Sequence, residues 1–368
     1  MKISRSFCVR GVSVAALAFA WGCTTAPVLA VSPRHEVGVY CDKGPSGIGA
    51  YEWHKLVHDS PDLNLTFLDG DDIRAGALEK LDMLVMPGGS SKNEYLSLGE
   101  EGFDRIRAFI RNGGGYIGTC AGCFLVCDQD RDEAKRMHIV PVLYKDPPEG
   151  TIFLKHVLTD AGKAGLGLTN GTWRVRFHGG TVMKPTTNTI EGAKFEVWAK
   201  YASDADVSAP VTEKNRVSGY DAIMGGTYGK GRVVVFGAHP EYFVGTVPLV
   251  DGAFRYVLGD KSVKTVRTYR KPGARSIAIV DGGKKDGMQA AIRLHASDKY
   301  DVIPTTSATL PLNGLEHVDL VVFLGGKLGF TSAATKGIFK DYLDHGGKAI
   351  VHKKGADILD EVAEALKD

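Results

Sequence analysis

Beyond residue 127 this 368-residue chain has no cysteine. After its first thirty residues no segment approaches the roughly 20 consecutive apolar positions that a membrane-spanning helix needs. Nor is there a surplus of charge of either sign, with 45 Lys and Arg against 43 Asp and Glu. The first absence excludes a disulfide framework spread over the chain, because Cys41, Cys120, Cys123 and Cys127 are all that follow the leader and three of them crowd into eight positions. The second argues against a transmembrane span, and the third against nucleic acid or anionic lipid as partners. A composition of 43% apolar and 24% charged residues is that of an ordinary globular protein, so a packed core is expected.

The opening is different. Lys2, Arg5 and Arg10 precede an apolar stretch over residues 12–21, and Val28-Leu29-Ala30 supplies the small-residue pattern of a cleavage site. Residues 1–30 are therefore expected to be a signal peptide, which makes the mature protein periplasmic or secreted. Ala20-Trp21-Gly22-Cys23 resembles a lipoprotein cleavage site without its usual leucine, and lipid anchoring at Cys23 is the lesser alternative. At roughly 100–200 residues per domain, the remainder divides into two domains. The sequence signals place these at residues 31–262 and 274–368, with a Lys-, Arg- and Pro-containing linker over 259–273.

From residue 36 short apolar runs alternate with helical patterns. Residues 37–41, 63–68 and 83–86 read as strands, and residues 48–58 as a helix. Phe103, Ile106, Phe109 and Ile110 mark a second helix, stopped by Asn112-Gly113-Gly114 before a strand over 116–119. This alternation predicts an α/β fold, a parallel sheet with helices on both faces. After Cys127 the pattern turns β-rich, with strands over 172–177, 195–199, 222–227 and 232–237, the last two joined by a hairpin at Tyr228-Gly229-Lys230-Gly231. A helix over 249–258 closes the first domain. Past the linker the first pattern returns: 277–281 parallels 37–41, 318–326 parallels 81–89, and 338–350 parallels 103–117. A repeat this long means two related domains rather than a solenoid. The second copy is degenerate, because Lys353 stands where the first has Cys120.

Gly118-Thr119-Cys120-Ala121-Gly122 is a G-x-C-x-G at a strand-to-helix junction, the thiol counterpart of the hydrolase nucleophile elbow. Small neighbours are needed there because strand and helix approach too closely for side chains. A cysteine at a helix start is expected to favour thiolate, further so beside an imidazole. The crevice of such a sheet lies at the carboxyl ends of its strands, where Asp42, Gly88, Gly89 and Cys120 fall. Backbone N–H groups of Gly88, Gly89 and Ala121 are candidates for holding an oxyanion. His239 and Glu241 follow a strand two positions apart, with Pro240 between them, and in extended backbone both would leave on the same side. The histidine would handle the thiol proton and the glutamate fix its tautomer. Taken singly, each feature also has a plain reading: a core thiol, a surface turn, a glycine bend.

Pro87-Gly88-Gly89, residues 106–122, Phe177-His178-Gly179-Gly180 and residues 228–241 together resemble the amino-terminal domain of biotin-protein ligases, a branch of the class I glutamine amidotransferase-like superfamily. The resemblance covers about residues 36–258. It implies a flavodoxin-like fold and a Cys120, His239 and Glu241 triad for amide hydrolysis through a thioester, with Gly179 near the substrate and no cofactor. Neither a biotin-ligase nor a synthetase domain follows, so the resemblance implies neither biotin transfer nor ammonia channelling; the expected partner is a small-molecule or peptide amide substrate. Assembly into a homo-oligomer stays open. Two rival uses of the thiols stand beside this one. Cys120-Ala121-Gly122-Cys123 is a C-x-x-C, so a thiol-disulfide redox protein is the first alternative. A metal site from Cys120, Cys123, Cys127 and His138 is less favoured, since the same spacing gives a buried stripe. A non-catalytic binding or scaffold protein with a relic triad is the third.

Overall fold

The computed structural model describes residues 34–367, apart from 132–133, 149, 203, 205–215, 269, 281–282, 306–314 and 326–332. The expected signal peptide and Cys23 lie outside the described residues. Residues 34–368 form one compact unit. Its first half opens with β1 (His35–Tyr40), α1 (Gly47–Asp59), β2 (Leu63–Leu68), α2 (Gly70–Arg74), β3 (Met83–Met86), α3 (Ser91–Arg111), β4 (Gly115–Thr119) and the single turn α4 (Ala121–Phe124). There follow β5 (Val142–Lys145), β6 (Thr151–Leu158), α5 (Asp160–Leu166), β7 (Thr172–His178), β8 (Val182–Pro185), β9 (Ala193–Tyr201), β10 (Asp221–Tyr228), β11 (Gly231–Phe236) and α6 (Val247–Leu258).

These strands make one sheet in the order β2-β1-β3-β4-β11-β10-β9-β6-β7, with β5 and β8 paired beside it. Only β2, β1, β3, β4 and β11 run parallel. From β10 onward neighbours are antiparallel, so the β-rich stretch extends the parallel core instead of forming a separate layer. The β10–β11 hairpin turns through Gly229, whose φ of +60° a side chain would resist. Alternate residues of the parallel strands go to opposite faces. Val37, Val39, Val85, Ile117 and Val234 meet Trp53 and Leu56 of α1 and Leu249 and Phe254 of α6. Leu84, Met86, Tyr116, Val233 and Val235 meet Phe103, Ile106 and Ile110 of α3. The sheet is thus covered on both faces, as a flavodoxin-like α/β core requires.

The second half repeats that core in miniature: β12 (Arg275–Val280), α7 (Lys285–Ala296), β13 (Tyr300–Thr305), β14 (Leu320–Phe323), α8 (Ala333–Asp344), β15 (Lys348–Val351) and α9 (Ile358–Ala365). All four strands are parallel, in the order β13-β12-β14-β15, which matches β2-β1-β3-β4 of the first half. Small details recur with the order. Asp82 accepts from the N–H of Glu36 at 2.8 Å, and Asp319 from that of Ser276 at 2.6 Å. Both α3 and α8 end on a positive-φ glycine, Gly113 and Gly346, followed by a glycine pressed against an aromatic ring of the same helix. The halves share a core in which Cys41, Ala50 and Tyr51 pack with Ile277, Met288 and Leu294. Among the described residues, no helix is long and apolar enough to cross a membrane.

Candidate active site

β4 delivers Cys120 to the carboxyl edge of the sheet, at φ 50° and ψ −103°. His138 is the other non-glycine residue at positive φ among those described, so the bend at Cys120 is a held strain. Close packing forces it. A side chain at Gly118 would come within 2.6 Å of the Gly122 carbonyl, and one at Gly122 within 2.2 Å of the Met86 carbonyl. The elbow is pinned at each peptide: the Cys120 N–H donates to Phe236 at 3.0 Å, Thr181 Oγ1 donates to the Cys120 carbonyl at 2.9 Å, and Trp53 Nε1 donates to Thr119 Oγ1 at 3.3 Å.

β11 brings the partners to the same edge. The His239 N–H donates to the Arg176 carbonyl of β7 at 2.8 Å, its Nδ1 lies 2.8 Å from Glu241 Oε1, and its ring and Cys120 Cβ crowd the same face of Gly88. Cys120, His239 and Glu241 are 4%, 3% and 1% exposed, so their interactions are little screened by water. Burial alone would disfavour the imidazolium, but the Glu241 carboxylate and the Cys120 sulfur outweigh it and hold the His239 pKa up at about 10. Two sequence expectations are corrected. Pro240, Glu241 and Tyr242 form a 3-10 turn rather than extended backbone, because proline suits a first helical position, where no N–H is needed. α4 has four residues, so the imidazole rather than a helix pole is the charge facing the thiol.

Gly88 lies flat against the pair: a Cβ there would sit 2.5 Å from His239 Cε1 and 3.0 Å from Cys120 Cβ. Among the described residues the N–H groups of Gly88 and Ala121 donate to no backbone carbonyl outside the regular elements. Gly89, next along the chain, instead abuts the Gly44 carbonyl and Pro45. Gly179, at φ +58°, follows His178, whose carbonyl accepts from Cys120 Sγ at 3.8 Å. Asp42 is not brought to this group. Its carboxylate is taken by Ser97 Oγ and the Gly70 N–H, and it borders a cavity of about 580 Å3 with Gly283, Lys284 and His352 of the second half.

The neighbouring thiols turn inward. Cys123 Sγ points at Met183 Sδ, 3.7 Å away in the core, and Cys127 Sγ donates to the Cys123 carbonyl at 3.3 Å. All four described cysteines are free thiols. His138 is held by Asp128 at 2.8 Å and Asp130 at 3.1 Å rather than by the cysteines. Residues with no local sequence signal support the turn. The Tyr242 ring stands edge-on to His239 at 5.2 Å, with the Arg176 guanidinium 4.3 Å above Tyr242. Arg267 donates to the carbonyls of Glu241 and Tyr242 and to Glu52 at 2.9 Å. Only Tyr242, adjoining Glu241, lay within reach of a motif reading.

The strand order and the covered faces define a flavodoxin-like α/β fold, with the elbow at the carboxyl edge of its sheet. Within it, residues 77–141 match the family model described as biotin-protein ligase, N terminal, so the likeness is shown over that segment. No curated protein matches the chain. Similar solved structures include a putative ThuA-like protein from Bacteroides uniformis, at 14% identity and TM-score 0.43, covering 61% of this chain and 91% of that one. PurLQS from Thermotoga maritima is similar at 16% identity and TM-score 0.42, covering 61% of this chain and 99% of that one.

Proposed function

We propose that the chain is a cysteine-dependent amidohydrolase-like enzyme acting on a small-molecule or peptide amide, or on a related acyl compound. The observation that carries this reading is one juxtaposition: a strained Cys120 beside His239 against Gly88, with His239 holding Glu241 at 2.8 Å. In the reaction Cys120 Sγ, as thiolate, attacks the carbonyl carbon, and the C=O electron pair moves onto oxygen. The N–H groups of Gly88 and Ala121 face that oxyanion, with Gly89 close behind. His239 gives its proton to the leaving nitrogen, the C–N bond breaks, and a thioester remains. Water then attacks the thioester with His239 taking its proton, and the C–S bond breaks to release acid and thiolate. Glu241 keeps the imidazole in the tautomer that faces sulfur. The basic, apolar and small-residue pattern of residues 1–30 supports export to the periplasm or beyond as the setting.

The redox alternative needs Cys123 to reach Cys120, and the Cys123 sulfur is packed on Met183. Alkylation kinetics test the proposal. Iodoacetamide is expected to modify Cys120 ahead of the other thiols, with the rate falling at least about 10-fold in His239→Ala. Equal rates in wild type and variant would remove the activated nucleophile and leave a relic triad. Recovery of a Cys120–Cys123 disulfide from protein prepared without reductant would favour the redox reading.

A further inference from the structure

Away from the triad, at the seam between the two sheets, His58 and Asp59 of α1 meet His295 of α7. His58 Nδ1 is 3.1 Å and His295 Nε2 2.9 Å from the same oxygen, Asp59 Oδ1, and one donor atom from each residue lies within 4.8 Å of the other two. From this convergence we propose a divalent-cation site of the zinc class, formed by His58, Asp59 and His295, that fastens the second sheet to the first.

Three features favour a cation over a plain hydrogen-bonded cluster. First, the donor spacing suits one. A tetrahedral ion with bonds near 2.0–2.1 Å needs donors roughly 3.3 Å apart, so the two short edges here open by a few tenths of an ångström to admit it. Two imidazoles and one carboxylate select a borderline ion such as zinc over magnesium or calcium, which prefer all-oxygen shells. Second, the backbone field is negative at this point. His58 and Asp59 close the last turn of α1, and His295 sits in the last turn of α7, so two carbonyl-rich helix ends converge on the cluster. Lys271 already answers that field on one side, donating from Nζ to the carbonyls of His295 and Ser297. Third, the outer contacts orient the ligands. Thr268 Oγ1 donates to the other carboxylate oxygen, Asp59 Oδ2, at 2.6 Å, an oxygen that His295 Nε2 also approaches at 3.1 Å, and the Tyr51 ring stands edge-on to His295 at 6.1 Å. A hydrogen-bonded outer partner of this kind fixes how a carboxylate presents itself to a metal.

The site is also reachable. The side chains of Asp59 and His295 are each 8% exposed, whereas that of His58 is 38% exposed, so an ion enters from the His58 side and keeps a coordination position for water. No part of the triad is used. Its effect is structural: α1 belongs to the first sheet and α7 to the second, so a bound ion adds a cross-link between copies.

The full chain, stripped with a chelator, is titrated with zinc sulfate in competition with a chromogenic chelator, and its melting temperature is followed with and without zinc. One equivalent is expected to bind with a rise in melting temperature. Binding should weaken at least about 10-fold in His58→Gln and by about 10–100-fold in Thr268→Val. His58 is exposed enough that its variant keeps the fold, and Cys120 alkylation, unchanged in rate, checks this independently. Cobalt, replacing zinc, should give visible absorption of a low-coordinate nitrogen and oxygen site in wild type and lose it in His58→Gln. Absence of saturable zinc binding, or wild-type affinity and stoichiometry retained in His58→Gln, overturns the proposal. The second outcome would place bound zinc elsewhere in the chain.

Discussion

Gly88 meets a steric demand set by the candidate site's own side chains, since its missing side chain is the space His239 and Cys120 occupy. Gly88→Ala would push the imidazole off its line to the sulfur. Misplacement on the ångström scale costs about 10²-fold in a positioned reaction, so the Cys120 alkylation rate should fall by about that factor while the fold persists. Gly245→Ala is the control, because nothing lies within 4 Å of a Cβ there, and it should leave both rate and melting temperature unchanged. A Gly88→Ala variant that alkylates at the wild-type rate would mean that the observed packing does not set the thiol's reactivity. Cys120 could be read from sequence because its constraint is local: the residues that must be small are two positions away on either side. Arg267 could not, because its partners Glu52 and Glu241 lie 215 and 26 positions distant and no spacing rule joins them.

Arg267 shows how one side chain holds a whole element, the turn that carries Glu241. It spans the Glu241 and Tyr242 carbonyls and the Glu52 carboxylate, which burial pushes toward the neutral form against the pull of Lys55 and Arg267. Arg267→Met would leave the buried Glu52 carboxylate to Lys55 alone and remove the donor to two carbonyls, and should cost roughly 3 kcal/mol in denaturant unfolding. Glu52→Gln in the same chain should restore much of that, and an additive double variant would show that the pair is not coupled. The repeat was legible because strand runs and glycine stops are written locally. Its packing now offers a paired test. A Cβ on Gly114 would lie 2.4 Å from the Phe109 ring, and one on Gly347 2.4 Å from the Tyr342 ring. Gly114→Ala and Gly347→Ala should each destabilise by about 1–3 kcal/mol, and a marked inequality would show that the two helix ends are not equivalent. What the sequence did not disclose was that β10, β9, β6 and β7 join the parallel core edge to edge. Pairing partners depend on which edge stays open after the core forms, and β11 offers that edge only once it has docked on β4.

Across the whole molecule, the buried histidines set opposing pH limits on stability. His54 is enclosed between α1 and β2, stacked on Phe67 at 4.9 Å, and His156 stands edge-on to Tyr201 at 4.9 Å. Burial lowers the pKa of each from 6.5 to about 4. On acidification the unfolded chain takes up these protons from about pH 6.5, while the folded chain refuses them until about pH 4. Stability is therefore lost as pH falls through that window, by about 3 kcal/mol for each histidine at most. His239 has the opposite sign. Its pKa of about 10 means that the folded chain binds a proton the unfolded chain has released, so its contribution is complete below pH 6.5 and disappears as pH rises toward 10. The histidine contributions alone peak near pH 6.5, with a steeper acid side because two groups act there against one; the Glu52 and Glu94 carboxyls, whose pKa burial raises, add a loss as pH rises above the usual carboxylate range. Differences in urea midpoint between wild type and each histidine variant, measured from pH 4 to 10, isolate these contributions. His54→Gln should flatten the acid limb, and His239→Gln the alkaline limb alone. If His239→Gln left the alkaline limb intact, the charged imidazole beside Glu241 would be absent from the native protein, and with it the electrostatic basis for an activated Cys120.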